Sequence, residues 1–322
     1  MENDDKTFLS GLVKGADKLV NITALILFLL LLLYGVHGIW YTHSLKAGSF
    51  LPDELAKYRP DGERPTLEEL VEMNPDVRGW ITIDDTHIDY PVVQGKDNTE
   101  YLNKDVMGGF SLAGAIFLSA KNKEDFSDAF NMLYGHHIEG GAMFTDVLEF
   151  KDASFFKNHK EGTLWYPEGA PGKADRIEIF ALVEESADNM RIFGDPTQVS
   201  PQELPGYVGY IRSLATNDRD TDISSDDRII ALSTCEDAVS FKRVILFGKL
   251  RPMTDAEIKE AMTKEENGAT SQRGGFQGFI DRMPAWTMPV GGILSLALIV
   301  YILWRRYKVR REQAKERKYR GE

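Results

Sequence analysis

The chain has 322 residues, of which 43% are hydrophobic and 27% are charged. This length and hydrophobic content are enough for one sizeable core and exclude a chain that is disordered throughout. The formal net charge of -12 is unevenly distributed, because residues 305–322 carry nine basic and three acidic side chains. The rest of the chain is therefore strongly acidic, which argues against nucleic acid as a partner, since phosphate binding needs a concentrated basic face.

The first apolar stretch predicts a transmembrane helix over residues 20–41, after a cytoplasmic tail of residues 1–19. The stretch contains no Asp, Glu, Lys or Arg, and its length suits a bilayer core of about 30 Å. Trp40 and Tyr41 lie where an aromatic belt is expected. A secretory signal peptide is the alternative, but no small-residue cleavage site follows the run, which favours a retained anchor.

A second uncharged stretch predicts another transmembrane helix over residues 283–304, and the basic tail 305–322 follows directly. Because basic flanks remain in the cytoplasm, both termini are predicted to be cytoplasmic and the segment between the spans to be exported. Within that segment, residues 42–65 are interpreted as a juxtamembrane connector and residues 253–282 as a helical and flexible linker. One folded domain is predicted over residues 66–252.

The exported domain opens on a predicted short helix, "TLEELVEMNP", with Thr66 as its N-cap and Glu69 three residues later. The stretch "GWITIDDTHIDYPVVQG" then predicts two strands joined by a turn at residues 84–86. Pro91 indicates that the second of these strands is at an edge or contains a bulge.

Many further short strands are predicted in the same domain. They are "GAIFLS", "NMLYGH", "GTLWYPEG", "RIEIFALVEE", "RIIALSTC" and "RVILFGKL". Brief helices are predicted near residues 141–160 and 201–216, and "TDAEIKEAMTKEE" has helical composition. This pattern predicts a mostly β barrel or sandwich with short peripheral helices.

Cys235 is the one cysteine in the chain and ends a predicted strand. Exported proteins generally use cysteines in pairs, so a lone thiol indicates a reactive group or an intermolecular disulfide, with a small buried hydrophobe as the alternative. Arg243 opens the next strand after seven intervening residues, and His136 ends another strand. A thiol nucleophile needs a proton shuttle and an oxyanion stabiliser, so these three residues form a candidate catalytic site.

The stretch "LSTCEDAVSFKRVILFGKL" resembles the active-site strands of sortases, the membrane-tethered transpeptidases of Gram-positive bacteria. The stretches "GWITIDDTHIDYPVVQGKDNTEYL" and "NMLYGHHIEGGAMFTDVLEF" resemble the class B branch, and the resemblance covers nearly all of residues 70–251. It implies a closed sortase-like β-barrel, here flanked by the two predicted transmembrane helices. It also implies that Cys235 is the nucleophile, His136 the general acid and base, and Arg243 the group that binds the oxyanion or the substrate backbone.

Two neighbours of the cysteine receive supporting roles from the same resemblance. Thr234 is expected to line the groove beside the nucleophile, and Asp237 to act as an orienting or structural acid. His137 adjoins His136, but alternate side chains of an extended segment point to opposite faces, so one of them serves and the motif favours His136. No cofactor is expected, and the scattered acids predict no metal site.

The resemblance implies cleavage of a C-terminal sorting motif on secreted proteins through a thioacyl enzyme, followed by transfer to an amine. A second, C-terminal span is familiar from pilin polymerases and favours a pilin lysine as acceptor, hence pilus assembly. Attachment of single proteins to a peptidoglycan cross-bridge is the alternative, and residues 42–65 contain no Asp-Pro-aromatic lid motif. A hydrolysing cysteine peptidase and a membrane-tethered adhesion or scaffold domain with an inert Cys235 are the other hypotheses. The predicted location is the cell membrane of a Gram-positive bacterium.

Overall fold

The computed structural model describes residues 2–49, 53–60, 67–138, 142–167, 174–235 and 242–269, together with the single positions 301, 305 and 308, and the statements below concern these residues. The chain divides into two compact units, Met1–Trp40 with Gly274–Glu322, and Tyr41–Arg273. Apart from the three single positions, the predicted second span and the basic tail lie outside the described residues, as does the predicted N-cap Thr66.

The described helices and strands follow the predicted order closely. The helices are α1 (Glu2–Ser49), α2 (Asp53–Ala56), α3 (Leu67–Met73), α4 (Ala153–Asn158), α5 (Met190–Phe193), α6 (Leu204–Leu214) and α7 (Asp255–Ala269). The strands are β1 (Val77–Ile83), β2 (Asp89–Val93), β3 (Ile116–Leu118), β4 (Phe130–Tyr134), β5 (His137–Ile138), β6 (Ala142–Met143), β7 (Glu161–Trp165), β8 (Ala174–Ser186), β9 (Ala215–Asp218), β10 (Arg228–Cys235) and β11 (Lys242–Pro252). Short 3-10 turns span Glu100–Leu102, Thr145–Lys151, Pro196–Gln198 and Pro201–Glu203. All the predicted strands are confirmed, whereas β5, β6 and β9 were not predicted.

Within α1, Gly15–Gly38 forms a mostly apolar stretch of 24 residues, and the most apolar 18 consecutive residues in it have a mean hydropathy of 2.6. By length and composition it is the one candidate span among the residues that the structure describes.

Eight strands close into a barrel. The sheet order is β11-β10-β4-β3-β2-β1-β7-β8-β9, and a further pairing of β11 with β8 closes the ring. The short strand β9 pairs with residues 181–183 of β8, beyond the part of β8 that pairs with β7. The pairs β10–β4 and β2–β3 are parallel, and the other pairs of the ring are antiparallel. The predicted closed barrel with short peripheral helices is therefore confirmed.

The β1–β2 hairpin shows how the turn chemistry of the sequence acts. Asp85 adopts a φ of 59°, a left-handed conformation that Asp tolerates better than most residues, and Thr86 Oγ1 donates to the Ile83 carbonyl at 2.8 Å. Pro91 pairs with Trp80, but the ladder with β3 begins only at Val92. The missing N–H of the proline therefore costs no sheet hydrogen bond on the β3 side.

Alternation along the strands produces one apolar cluster inside the barrel and two outside it. The interior cluster includes Ile81, Val92, Leu133, Leu232, Val244 and Leu246. One outer cluster joins α6 to the face of β4, β8, β10 and β11, through residues such as Phe130, Phe180, Tyr207, Ile211, Ile245 and Phe247. The other joins Leu55 and Tyr58 of the connector, Leu70 of α3 and Ile258 and Ala261 of α7 to Trp80 of β1.

Candidate active site

Cys235 and Arg243 lie opposite each other at one end of the barrel. Cys235 is the last residue of β10, Arg243 is the second residue of β11, and the antiparallel register makes their Cα atoms partners. Directly opposed residues of an antiparallel pair lie about 4.5 to 5.5 Å apart at Cα. The predicted proximity of these two residues in the fold is therefore observed at the level of the backbone.

His136 reaches the same end of the barrel from β4. That strand runs parallel to β10, with Tyr134 level with Ser233, and the Gly135 N–H donates to the Ser233 carbonyl at 3.1 Å. His136 follows two residues after the end of β4, and continuing this parallel register by two residues would bring it level with Cys235. The strand order thus brings the cysteine, the arginine and the segment that follows β4, which contains the histidine, to the same end of the barrel.

The backbone around His136 is fixed by a glycine that the packing requires. A Cβ on Gly135 would lie 2.5 Å from Ile116 Cδ1 and 2.6 Å from Phe144 Cδ2. Such distances are far below van der Waals contact, so any side chain here would displace the strand end. The Phe144 N–H also donates to the His136 carbonyl at 3.1 Å. The Tyr-Gly-His order therefore has a physical basis in this fold.

The imidazole of His136 is half-buried, and its Nε2 lies 3.1 Å from the Leu102 carbonyl oxygen. Burial lowers the pKa of His136, the hydrogen bond to Leu102 partly opposes this effect, and the positive charge of Arg243 lowers the pKa further. The neutral ring, which can accept a proton, is therefore favoured near neutral pH.

Arg243 is bordered on its other side by β8. Its Cα partner there is Glu185, whose Oε1 accepts a hydrogen bond from the Ser186 N–H at 2.8 Å. Arg243, Ile245 and Phe247 are alternate residues of β11 and therefore share a face of the strand. Because Ile245 and Phe247 belong to the outer cluster that packs against α6, the Arg243 side chain lies on the outer face of the barrel. On that face, burial raises the pKa of the Tyr134 phenol and the charge of Arg243 opposes the shift. Tyr134 also packs against Phe117, with ring centroids 5.3 Å apart.

Thr234, His137 and Asp237, the other residues considered for the site, have different positions in the structure. Thr234 is 1% exposed, its Cα partner is Val244 of the interior cluster, and its hydroxyl has no hydrogen-bond partner among the described residues. Little of this side chain is accessible to a substrate. His137 directly follows His136 and is the first residue of β5, where it pairs with Met143 of β6. Asp237 lies outside the described residues.

Two features of the site were not predicted from the sequence. The Leu102 carbonyl that meets His136 is a backbone group in a loop, which no side-chain pattern reveals. Glu185 was read only as part of a strand, and its place beside Arg243 depends on the closure of the barrel by β8 and β11. Among the described residues, no group of three or more His, Cys, Asp or Glu side chains could hold a metal ion.

A cysteine, a histidine and an arginine at one end of a closed barrel are the residue types needed for acyl transfer through a thioester, which requires a nucleophile, an acid–base group and an oxyanion stabiliser. The fold and site thus define the class of cysteine-dependent acyl-transfer enzymes.

Comparisons with known proteins narrow this class. The chain is 33% identical to sortase B of Listeria monocytogenes over 212 residues, which cover 63% of this chain and 84% of that protein. It is 35% identical, with a TM-score of 0.53, to the crystal structure of a class B sortase of Streptococcus pyogenes involved in pilus biogenesis, covering 57% of this chain and 97% of that one. A Staphylococcus aureus sortase B–substrate complex is 29% identical with a TM-score of 0.53, covering 59% and 86%. No protein-family profile matches the chain.

The chain belongs to the class B sortase family of cysteine transpeptidases. The prediction of an enzyme of this type is confirmed, and the reading as a non-enzymatic adhesion or scaffold domain is wrong.

Proposed function

We propose that this enzyme cleaves a C-terminal sorting motif of secreted surface proteins at the cell membrane of a Gram-positive bacterium and transfers the acyl group to a lysine of a pilin subunit. The observation that carries the proposal is the register of β4, β10 and β11, which opposes Cys235 to Arg243 and ends β4 beside Ser233, two residues before His136. A thiol, an acid–base group and a cation are what the two half-reactions of transpeptidation need.

In the first half-reaction, the Cys235 thiol gives its proton to His136 and the thiolate attacks the scissile carbonyl carbon. Arg243 donates hydrogen bonds to the resulting oxyanion or to the substrate backbone, which lowers the barrier because the guanidinium is in place before the charge develops. His136 then gives its proton to the departing amine, and the peptide carbonyl remains as a thioester on Cys235.

In the second half-reaction, an acceptor amine attacks the thioester carbonyl. His136 takes a proton from the attacking nitrogen, the carbon–sulfur bond breaks, and Cys235 leaves as a thiolate while a new amide forms. The lowered pKa of His136 suits this step, because a neutral ring is needed to take the proton. Asp237 is proposed to orient the site, and Thr234 to support the end of β10 beside the nucleophile.

The two-pass topology is part of the proposal. The apolar stretch Gly15–Gly38 supplies one span, and residues 283–304 supply the other by composition. An ion pair of 2.9 Å between Asp17, at the start of the first stretch, and Arg305, directly after the second, supports a common side for both termini. The basic tail 305–322 makes that side the cytoplasm, so the catalytic domain is extracellular.

A pilin lysine is preferred as the acceptor for two reasons. The Streptococcus pyogenes relative is involved in pilus biogenesis, and a second membrane span is typical of pilin polymerases. Anchoring of single proteins to a peptidoglycan cross-bridge is the second candidate, favoured by the absence of an Asp-Pro-aromatic lid motif in residues 42–65.

A competition experiment separates the acceptors. The full chain in detergent is incubated with a panel of sorting-motif peptides and equal concentrations of a pilin-type lysine peptide and a cross-bridge peptide, and the products are identified by mass spectrometry. The proposal expects the lysine isopeptide to dominate. Dominance of the cross-bridge product would establish anchoring, and dominance of the hydrolysed product would establish a peptidase. Cys235→Ala is the matched control and should give none of these products.

A further inference from the structure

The 3-10 turn Glu100–Leu102 meets the catalytic histidine through a backbone group. The Leu102 carbonyl oxygen lies 3.1 Å from His136 Nε2. A carbonyl can only accept a hydrogen bond, so Nε2 must carry the proton that is shared in this contact. In the neutral ring the lone pair is then on Nδ1, which leaves Nδ1 as the nitrogen that takes and returns protons.

A glycine supports this carbonyl from one side. Gly114 has a φ of +62°, and a Cβ on it would lie 2.6 Å from the Tyr101 carbonyl oxygen and 2.7 Å from that of Leu102. The Ala115 N–H donates to the Tyr101 carbonyl at 3.1 Å. The segment before β3 is thus in direct contact with the turn, and only glycine fits both the backbone conformation and the space.

A buried phenol holds the turn from the other side. Tyr101 is 3% exposed, donates its hydroxyl hydrogen to Asp76 Oδ2 at 2.8 Å, and accepts from Asn74 Nδ2 at 3.0 Å. The same Asn74 amide group donates to the Val106 carbonyl at 2.6 Å, beyond the turn. Burial raises the pKa of Tyr101 to about 12, so the phenol keeps its proton for Asp76 at neutral pH. The turn is therefore fixed to the corner between α3 and β1.

We infer that Gly114 and Tyr101 are positioning residues of the transpeptidation reaction, because together they hold the Leu102 carbonyl where it fixes the tautomer and orientation of His136. The inference rests on the proposed function in assigning proton transfer to His136. Neither residue contacts the reacting atoms, and both act through the Leu102 carbonyl.

The direct test measures the tautomer of His136 rather than activity. Full-length protein in detergent, carrying Cys235→Ala and ¹⁵N-labelled histidine, is examined by NMR, and the His136 signal is assigned by its loss in His136→Gln. In the protein with the unmodified turn, the neutral ring of His136 at high pH should be the Nε2–H tautomer. Gly114→Ala should shift the ring toward a mixture of tautomers, and Tyr101→Phe, which keeps the ring but removes both hydrogen bonds, should do so to a smaller extent.

Gly108→Ala is the matched control. Gly108 also has a positive φ, +82°, but no atom lies within 4 Å of the place of its Cβ, so the substitution carries the same kind of backbone strain without the contact. The His136 tautomer in Gly108→Ala should be the same as in the parent protein. If Gly114→Ala does not fold, Tyr101→Phe compared with Gly108→Ala decides the question.

Kinetics with the active thiol give the second measurement. Gly114→Ala should lower kcat about 10- to 100-fold with KM nearly unchanged, since a displaced acid–base group affects the chemical steps more than substrate binding. An Nδ1–H tautomer in the parent, or positioning variants that match Gly108→Ala in both tautomer and kcat, would overturn the inference. A third outcome separates the two proposals. If the parent chain shows no transpeptidase activity but has a fixed Nε2–H tautomer that the variants lose, the positioning role of Gly114 and Tyr101 is upheld and only the proposed reaction is refuted.

Discussion

Arg243 and Cys235 are Cα partners at one end of the β10–β11 ladder. The sheet continues on one side to Glu185 of β8 and on the other to β4, which ends two residues before His136. Cys235 and Arg243 are eight positions apart in the sequence but adjacent in the sheet, because β10 and β11 pair in antiparallel fashion.

The charge and shape of Arg243 should both matter to catalysis. Arg243→Ala is expected to lower kcat/KM about 10²- to 10³-fold, as for loss of an oxyanion donor, and Arg243→Lys to recover only part of this loss because an ammonium lacks the planar fork. The rate of peptide cleavage under single-turnover conditions checks both values. Lys242→Ala changes the exposed neighbouring cation and should leave the rate within about twofold. Equal effects at positions 242 and 243 would contradict a specific role for Arg243.

The titration of His136 should respond to Arg243. Because burial and the nearby cation lower the pKa of His136, its NMR titration midpoint should lie below the ordinary value of about 6.5. Arg243→Gln removes the positive charge and should raise the midpoint, whereas Lys242→Gln should change it little. A midpoint that is unmoved or lowered in Arg243→Gln would show that the guanidinium does not act on the ring.

The same shift has a consequence for stability. In the window between the lowered pKa of folded His136 and the ordinary value, the unfolded state binds more protons, so the free energy of unfolding should decrease as the pH is lowered through that window. His136→Gln should weaken this part of the pH dependence. Denaturant unfolding at several pH values measures it, and an unchanged slope in the variant would contradict the assignment.

The juxtamembrane connector should contribute to the stability of the barrel. Arg59 forms an ion pair with Asp89 of β2, both side chains are at most 15% exposed, and Trp80 Nε1 donates to the same carboxylate at 2.7 Å. Removing the cation leaves a buried carboxylate without its counter-charge, so Arg59→Ala should lower the free energy of unfolding by about 3 kcal/mol. Lys57→Ala, at an exposed cation two residues earlier, should cost less than about 0.5 kcal/mol. Equal stabilities of the two variants would show that the connector is not part of the fold.

Sequence reasoning predicted the strands and the two-strand geometry of the site because these depend on local patterns. Alternation and β-branched runs mark β10 and β11, and a short connection between them requires that Cys235 and Arg243 meet. The Leu102 carbonyl could not be predicted, because its position depends on loop conformation and on the space left by Gly114. The packing of Tyr58 and Ile258 on Trp80 was missed for a related reason, since it joins segments far apart in the chain that looked like linkers.

The burial of Thr234 shows a limit of resemblance. Thr234 was expected to line the groove because it adjoins the candidate nucleophile. Successive residues of a strand point to opposite faces, however, and Thr234 pairs with Val244 of the barrel interior. The alternation rule, applied to "LSTC", would have indicated this placement.

A thioacyl enzyme on Cys235 can be detected by intact mass spectrometry of the full chain after mixing with a sorting-motif peptide in the absence of an amine acceptor. We expect the protein mass to increase by the mass of the acyl fragment. The added group should map to Cys235 after proteolysis, be released by hydroxylamine and be absent from Cys235→Ala. The absence of an adduct throughout the motif panel while the peptide is cleaved, or an acyl group on a different residue, would contradict a thioacyl enzyme on Cys235.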